Sequence, residues 1–182
     1  VREYQVDRTA RIFKERALEL EAEGEDQKAA SYLFRYAMFR PGDVEARVKL
    51  AQVYDKNAQG FDGKLRSIEL HHEAIGMVSE PNAELELRQR LAELLLETNR
   101  LPLAKAEALV ILKGDHTRKF PAHPRNPAAN RVMAETLYRQ YILGVIRADK
   151  VEGETVGDLV ERALDLNPND ARLAVMLASI YR

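Results

Sequence analysis

The chain has 182 residues, with 28 Lys or Arg against 29 Asp or Glu, so its formal net charge is −1. Such near neutrality argues against a dedicated nucleic-acid-binding domain, which normally carries a basic excess. An apolar fraction of 46% is too high for a disordered chain, and the absence of cysteine excludes disulfides, thiolate metal sites and a cysteine nucleophile.

The ends of the chain carry no targeting signal. It begins at Val1 without a charged and then apolar leader, and it stops at Arg182 inside an apolar helical pattern. No stretch approaches the ~20 apolar residues of a membrane helix. We therefore expect a piece of a longer protein with no membrane segment in this chain. No signal defines its compartment, although a cytoplasmic one is preferred.

Taken in chain order, the sequence repeats a short pattern: an apolar residue, then alanine, then an apolar or aromatic residue three positions later. The alanines are Ala17, Ala51, Ala92, Ala134 and Ala178, which stand 34, 41, 42 and 44 residues apart. The first of them follows Arg16 instead of an apolar residue. Between successive alanines lies a second apolar-periodic segment. Each unit therefore predicts a helix A, a short turn and a helix B.

The ends of these helices are marked by proline and by capping residues. Proline at 41, 81 and 168 is expected to stop helix B, because it lacks the N–H and clashes with the preceding turn. The predicted N-caps of the following helices are Asp43, Asn82 and Asp170, together with Asn126 before Pro127. Thr155 with Asp158 predicts a capping box.

These features resemble the tetratricopeptide repeat. The match is carried by Ala-Leu-Asp-Leu-Asn-Pro-Asn-Asp at 163–170 with the following Leu177, Ala178 and Tyr181, and by the first unit. That unit places Phe13, Ala17, Leu20, Gly24, Ala29, Leu33, Tyr36 and Pro41 in a 34-residue frame. The resemblance implies an all-α fold, an α-solenoid in which antiparallel helix hairpins form a right-handed superhelix.

The resemblance covers one array over residues 1–182. Its units lie at about 7–43, 44–81, 82–126 and 127–168, with an incomplete unit at 169–182. We place the residues beyond the 34-residue period in loops at 56–64, 113–127 and 148–155. HEAT and armadillo arrays, with a period of ~40–47, are the rival family. The prolines favour the tetratricopeptide interpretation because they stand between units and not inside the first helix.

A search for catalytic and cofactor motifs finds none, so we expect no enzyme and no cofactor. The adjacent His71 and His72 would point ~100° apart on a helix, so we expect one to pack and one to face solvent. Asp115, His116 and His123 share a loop but lack a recognised metal-ligand spacing, and we interpret them as surface residues.

A local basic segment at 113–131 has five basic residues, one acid and Phe120. Basic charge with an aromatic side chain is typical of a single-strand nucleic-acid contact. The alternative is an inter-unit loop whose charge is offset by the acidic 149–170 stretch. We favour the loop and predict no nucleic-acid partner.

The resemblance implies that a partner peptide or helix binds the concave wall formed by the A helices. Matching positions in this chain are Val48, Gln52, Asp55, Lys56, Gln89, Glu93, Leu96, Glu97, Arg131, Glu135, Tyr138 and Arg139. Leu96 and Tyr138 are the apolar contacts expected there. Some family members grip acidic chaperone tails with a Lys/Asn/Arg clamp. Here only Arg90 suits such a tail, so we predict against that subclass.

The main functional hypothesis is therefore a protein-interaction scaffold within a longer protein. Two alternatives remain open: a regulatory or substrate-positioning segment of a larger enzyme, and a self-assembly module. For self-assembly, the apolar face of the last helix (Leu173, Met176, Leu177 and Ile180) would pair with a second copy to form a homodimer.

Overall fold

The computed structural model describes residues 2–146 and 153–182. Within these ranges the chain is helical, with an isolated antiparallel bridge between Asp115 and Phe120. The helices, in chain order, are α1 (Arg2–Ala22), α2 (Asp26–Phe39), α3 (Val44–Lys56), α4 (Gly60–Met77), α5 (Pro81–Glu97), α6 (Leu101–Lys113), α7 (Pro127–Ile142), α8 (Val156–Leu166) and α9 (Ala171–Ile180). The odd-numbered helices are the A helices of the predicted pattern, and the even-numbered ones are the B helices.

The chain divides into two compact units. Unit 1 is Val1–Leu87 and unit 2 is Arg88–Arg182, with the boundary inside α5. In unit 1, α2 packs on α1, α3 on α2, and α4 on α3; in unit 2, α7 packs between α6 and α8, and α9 packs on α8. The single array over 1–182, with its five predicted sub-divisions, stays a prediction.

Small residues stand where helices cross. Ala17, Ala51, Ala92 and Ala134 are fully buried, as the repeat pattern predicts. Ala178 is exposed on α9. Two helices approach closely only where a side chain is small, and larger residues then fill the space around the contact. The alanine pattern thus identifies buried positions in the first four repeats, as expected for close helix contacts.

Helix caps follow the predictions at four positions. Asp43 and Asp170 accept hydrogen bonds from backbone N–H groups of the helices they begin, and Asn126 does so for α7. Thr155 and Asp158 form the capping box. Asn82 was the wrong prediction: α5 begins at Pro81, and the Glu80 carboxylate accepts from the N–H of Ala83 at 2.6 Å and of Asn82 at 3.0 Å. Proline at the first helical position moves the cap to the residue before it.

The predicted loops need one correction. The 113–127 loop is confirmed at 114–126, but residues 60–64 of the predicted 56–64 loop are the first turns of α4. Gly63, which looks like a loop residue in the sequence, lies in that helix. A Cβ there would stand 3.1 Å from the backbone of Ala58, so glycine allows the 57–59 turn to approach the helix. Of the 148–155 loop, residues 148–152 lie outside the described residues.

Tyr36 connects the first hairpin to the cap of the next helix. Its buried ring packs with Ala10 and Ala46, and its hydroxyl donates to Asp43 Oδ2 at 2.5 Å. Asp43 Oδ1 accepts from the N–H of Ala46 at 3.0 Å. Burial, followed by the hydrogen bond to Asp43, raises the pKa of Tyr36 to about 12. Burial also acts to raise the pKa of Asp43, but the hydrogen bonds from Tyr36 and Ala46 outweigh it and the net shift is downward.

Tyr36→Phe is expected to lower the free energy of unfolding of unit 1 by about 1.5–3 kcal/mol, the range for hydrogen bonds to a charged group. Because the folded-state pKa of Asp43 is lowered, its contribution is present above its unfolded pKa of about 3.9 and is lost as the pH falls further. Because the pKa of Tyr36 is raised, its contribution is present below about 10 and is lost as the pH rises through about 12. Urea denaturation of both forms across pH measures this.

Tyr32→Phe is the matched control. Tyr32 lies on the same helix and contacts Phe13 at a ring-centroid distance of 6.0 Å, and its hydroxyl makes no hydrogen bond within the described residues. Equal losses in the two variants, or a Tyr36→Phe effect that persists unchanged at acid pH, would contradict the role of the Asp43 contact.

Candidate protein-interaction surface

The predicted groove residues of unit 1 are spread over different environments. On α3, Gln52 and Lys56 are exposed and Val48 is half-buried. Asp55 accepts a hydrogen bond from Ser67 Oγ on α4 at 3.1 Å, so its carboxylate is engaged at the α3–α4 contact. Exposed positions on the A-helix side of this unit are therefore fewer than the sequence predicts.

In unit 2, charged side chains of α5 and α7 meet in what we call the charged cluster. Glu93 pairs with Arg90 at 3.2 Å and with Arg131 on the other helix. Arg90 also pairs with Glu97 at 3.1 Å, and Arg139 pairs with Glu135. The cluster consists of three arginines and three glutamates: Arg90, Glu93, Glu97, Arg131, Glu135 and Arg139. The signs predicted for the groove are thus brought together and compensate one another.

Two predicted groove residues are not accessible. Leu96 is 4% exposed and Glu135 is 5% exposed. Arg139 Nη1 donates to the carbonyl oxygen of Leu96 at 3.2 Å, so the backbone and not the side chain of Leu96 meets the charged cluster. Leu96 is therefore a core residue, and its expected role as an apolar contact for a partner was wrong. The side chain turns inward because α5 is apolar on more than one face, with Leu94, Leu95 and Leu96 all buried.

Beside the charged cluster lies an apolar depression of about 410 Å³ between α7 and α9, the α7–α9 patch. It is lined by Tyr138, Ala171, Arg172, Val175 and Met176. Tyr138 was predicted for the groove, and its hydroxyl lies 2.6 Å from Ser179 Oγ on α9, which holds the ring at the edge of the patch. Val175 is 68% exposed. The sequence prediction missed Val175, although an apolar residue outside the helical stripe of α9 was a signal for it.

The apolar stripe of α9 is used inside unit 2. Leu173 is buried with Ala134, Val156, Val160 and Ala163, and the side chains of Met176, Leu177 and Ile180 pack against this cluster. Leu173 is therefore not free to meet a second copy, whereas Met176, Leu177 and Ile180 are only partly buried, and the homodimer stays a prediction. These side chains turn inward because α9 packs on α8 and α7.

The histidines take structural positions. His71 is buried with Nδ1 2.9 Å from the carbonyl oxygen of Ser67, whereas His72 is exposed, which confirms the predicted division. Asp115 accepts from the N–H and the hydroxyl of Thr117, and these bonds, led by the hydroxyl, lower its pKa. Within the described ranges, no three His, Asp or Glu side chains come together as metal ligands.

The basic 113–131 segment folds around its aromatic residue. Phe120 is buried, with the guanidinium of Arg88 5.3 Å and the ring of His123 5.6 Å from its ring centroid. A buried ring cannot stack on a nucleobase, and Arg131 of the same segment is paired with Glu93. The arrangement favours the inter-unit loop of the two interpretations. None of the described helices is long and apolar enough to cross a membrane.

Comparison with known proteins places these hairpins in a known fold. No protein-family model and no curated protein matches the sequence. Among solved structures, MamA (residues 41-end) from Desulfovibrio magneticus RS-1 aligns with a TM-score of 0.64 and 14% identity, over 93% of this chain and 81% of that one. A MamA RS-1 double mutant gives a TM-score of 0.65 with the same identity and coverage.

The chain has the fold of a tetratricopeptide-type helical repeat. This confirms the all-α, α-solenoid class predicted from the alanine and proline pattern. A putative kinesin light chain from Podosopora anserina with nearly identical TPR-like repeats also aligns, at 14% identity over 94% of this chain and 92% of that one, but its TM-score of 0.47 is too low to support a conclusion.

At the positions predicted for an acidic-tail clamp, the described residues offer one suitable cation. Arg90, the one suitable cation, is held between Glu93 and Glu97. An acidic tail would have to displace both carboxylates to reach it. The prediction against that subclass stays a prediction.

Proposed function

We propose that this protein is a non-enzymatic interaction scaffold that binds a peptide or helix of a partner protein across the A helices of unit 2. Repeat folds of this type offer extended surfaces for protein ligands. The observation that carries the proposal is the accessible α7–α9 patch, whose residues Ala171 and Arg172 also line a depression with Arg131 of the charged cluster.

The two parts of this surface favour different groups on a partner. Exposed Val175 and the ring of Tyr138 offer apolar area to an aliphatic or aromatic anchor, and burial of such area is the main favourable term in association. The charged cluster has no net charge, so it selects hydrogen-bonding groups of both signs and gives no strong attraction to a highly charged ligand. A partner segment with one apolar anchor and mixed polar residues fits this surface.

The test is the substitution Val175→Lys, which places a charge on the patch without touching the core of α9. Proteins captured by the wild-type chain from a lysate of its own source cells are identified by mass spectrometry, and the most abundant specific partner is produced for titration. We expect Val175→Lys to weaken that partner at least tenfold, about 1.4 kcal/mol. Ala174→Lys introduces the same lysine at an exposed neighbouring position on α9, and this variant should bind the partner with wild-type affinity.

The charged cluster provides a second arm of this test. Glu93→Lys or Arg131→Glu alone breaks the pair between α5 and α7, whereas the two exchanges together restore a pair of reversed polarity. The double variant keeps the pair between α5 and α7 while it presents inverted charges to the partner; because a lysine at position 93 also faces Arg90, circular dichroism and urea denaturation establish that it folds before its affinity is compared. Unchanged affinity in the double variant and in Val175→Lys would overturn the proposed surface.

A second candidate occupant of the same patch is another copy of this chain. It is favoured by the exposure of Val175 and of Tyr181 near the end of α9. Self-assembly predicts a mass that rises with concentration in light scattering and returns to the monomer value in Val175→Lys. A monomeric wild type at all concentrations would exclude it.

A further inference from the structure

Unit 1 contains a cleft of about 680 Å³ that the proposed function does not use. This α2–α4 cleft lies between the two B helices of the unit, above the C-terminal half of α3. Its walls include Phe34 and Arg35 on α2, Tyr54 on α3, Ala58 in the following turn and Arg66 on α4. Phe34 is partly exposed, so the cleft offers an aromatic surface next to two guanidinium groups.

The charge of the cleft is of one sign. Its lining contains Arg35 and Arg66 and no acidic residue. The Arg66 guanidinium lies 5.7 Å from the centre of the Phe34 ring, and both residues line the cleft. Arg66 also pairs with Glu69 at 2.6 Å, but Glu69 is an exposed residue one turn further along the same helix, and exposed pairs of this kind contribute little. A guanidinium has five N–H donors and can bind a second carboxylate.

In unit 2 the arginine at the corresponding position is bound by a carboxylate of the same unit. Arg162 is the seventh residue of α8, as Arg66 is of α4. Glu154 stands immediately before the N-cap Thr155, and Ala58 stands immediately before the N-cap Gln59. The Glu154 carboxylate binds Arg162 through two hydrogen bonds, of 2.6 and 3.0 Å. This pair is also exposed, with 42% and 44% of its side chains accessible, and its advantage over the Arg66–Glu69 pair is its bidentate geometry.

The two clefts differ in volume and in acidic lining, as expected from Ala58 in unit 1 at the position of Glu154 in unit 2. The cleft that contains Glu154 and Arg162, between α6 and α8, has a volume of about 360 Å³. Where unit 2 has glutamate, unit 1 has the short side chain of Ala58, and the cleft is larger and carries no acid. In unit 2 the arginine is bound by the residue before the N-cap of its helix, whereas in unit 1 Arg66 is paired with Glu69 on its own helix and has no carboxylate at the position of Ala58.

We infer that the α2–α4 cleft binds an acidic peptide segment of a partner protein. A carboxylate of that segment binds Arg66 in the position that Glu154 takes on Arg162, and a neighbouring apolar side chain packs on Phe34 and Tyr54. This site lies on the B helices of unit 1, whereas the proposed partner surface and the acidic-tail positions lie on the A helices. It is therefore an additional docking site.

The experiment titrates the ¹⁵N-labelled chain with acetyl-Phe-Glu-Leu-Glu-amide and with its uncharged counterpart acetyl-Phe-Gln-Leu-Gln-amide, to millimolar concentration. We expect saturable chemical-shift changes at Phe34, Tyr54 and Ala58 with the acidic peptide, and at least tenfold weaker binding of the uncharged one, since each tenfold change is about 1.4 kcal/mol. Val175→Lys, which tests the proposed function, should leave this binding unchanged.

Ala58→Glu is the decisive variant because it copies the arrangement of unit 2. The new carboxylate should bind Arg66, fill the cleft and weaken the acidic peptide at least tenfold, about 1.4 kcal/mol, with an unchanged helical circular dichroism spectrum. Ala58→Gln, similar in size but uncharged, should retain most of the binding. If both variants bind equally, if the two peptides bind equally, or if no saturable shifts occur in the cleft, the inference is wrong. Arg66→Gln provides a check that does not depend on the new side chain.

Discussion

Arg88→Met is expected to destabilise unit 2 by about 3 kcal/mol, the lower end of the range for removing one partner of a buried ion pair. Arg88 on α5 pairs with Glu107 on α6, and their side chains are only 8% and 12% exposed. The same guanidinium lies over the ring of Phe120. Methionine fills much of the space above that ring, so the main loss is electrostatic, because the Glu107 carboxylate is left buried without its cation.

The double variant Arg88→Met with Glu107→Leu separates this cause from lost packing. An apolar pair of similar volume often equals a buried ion pair in stability, so we expect recovery to within about 1 kcal/mol of the wild type. Repeat arrays can unfold in parts, so native-state hydrogen exchange of the α6 and α7 amides is the appropriate measurement beside urea denaturation. A double variant as unstable as Arg88→Met would show that packing on Phe120, and not the charge pair, is the larger contribution.

Gly114→Ala should lower the free energy of unfolding by about 3 kcal/mol, because the added Cβ brings both backbone strain and steric contacts. Gly114 ends α6 with φ 79° and ψ 173°, a region that is essentially restricted to glycine and costs other residues about 1–3 kcal/mol. A Cβ there would also stand 2.8 Å from the carbonyl oxygen of Phe120 and 2.9 Å from the N–H nitrogen of Ala122. Both contacts are to backbone, which cannot rotate away as a side chain could.

Gly24→Ala is the control for the backbone penalty alone. Gly24 has φ 77°, and a Cβ there meets no atom within 4 Å. We expect it to cost about 1 kcal/mol, the penalty for a left-handed conformation. Thermal denaturation and hydrogen exchange of the Phe120 amide, which donates to Asp115 at 2.9 Å, measure the difference. Equal effects of the two substitutions would show that the loop adjusts and that the 114–126 backbone is not held in place by α6.

Much of the fold could be predicted from the sequence because the signals that define it are local. The alanines at the crossings, the prolines between units, and the caps Asp43, Asn126 and Asp170 act on the adjacent turns of their own helices. Where a local signal was ambiguous the prediction failed. Asn82 is a good capping residue in isolation, but Pro81 begins α5 and gives the cap to Glu80. Gly63 is typical of a loop, yet it serves a close backbone approach inside α4.

The candidate surface could be predicted only in part, because it depends on contacts between residues that are distant in the sequence. The sequence predicted five charged groove residues on the A helices of unit 2, with Arg90 beside them, but it could not show that Glu93 and Arg131 pair across two helices and leave the cluster neutral. Nor could it show that Leu96 turns inward while Val175 remains exposed. The neighbouring helices decide which apolar residues become buried, and helical periodicity does not contain that information.

The sequence by itself determined the helical hairpins, their order and most of their ends, since these follow from residue spacing and from capping chemistry within a few residues. Only the tertiary structure decided which partner each charge has and which charges line an acid-free cleft. Arg162 is bound by Glu154, whereas Arg66, at the same position of an earlier helix, faces a cleft whose lining has no acid. The physical reason is that the strength and availability of a charge depend on what packs around it, and packing is fixed only when the helices come together.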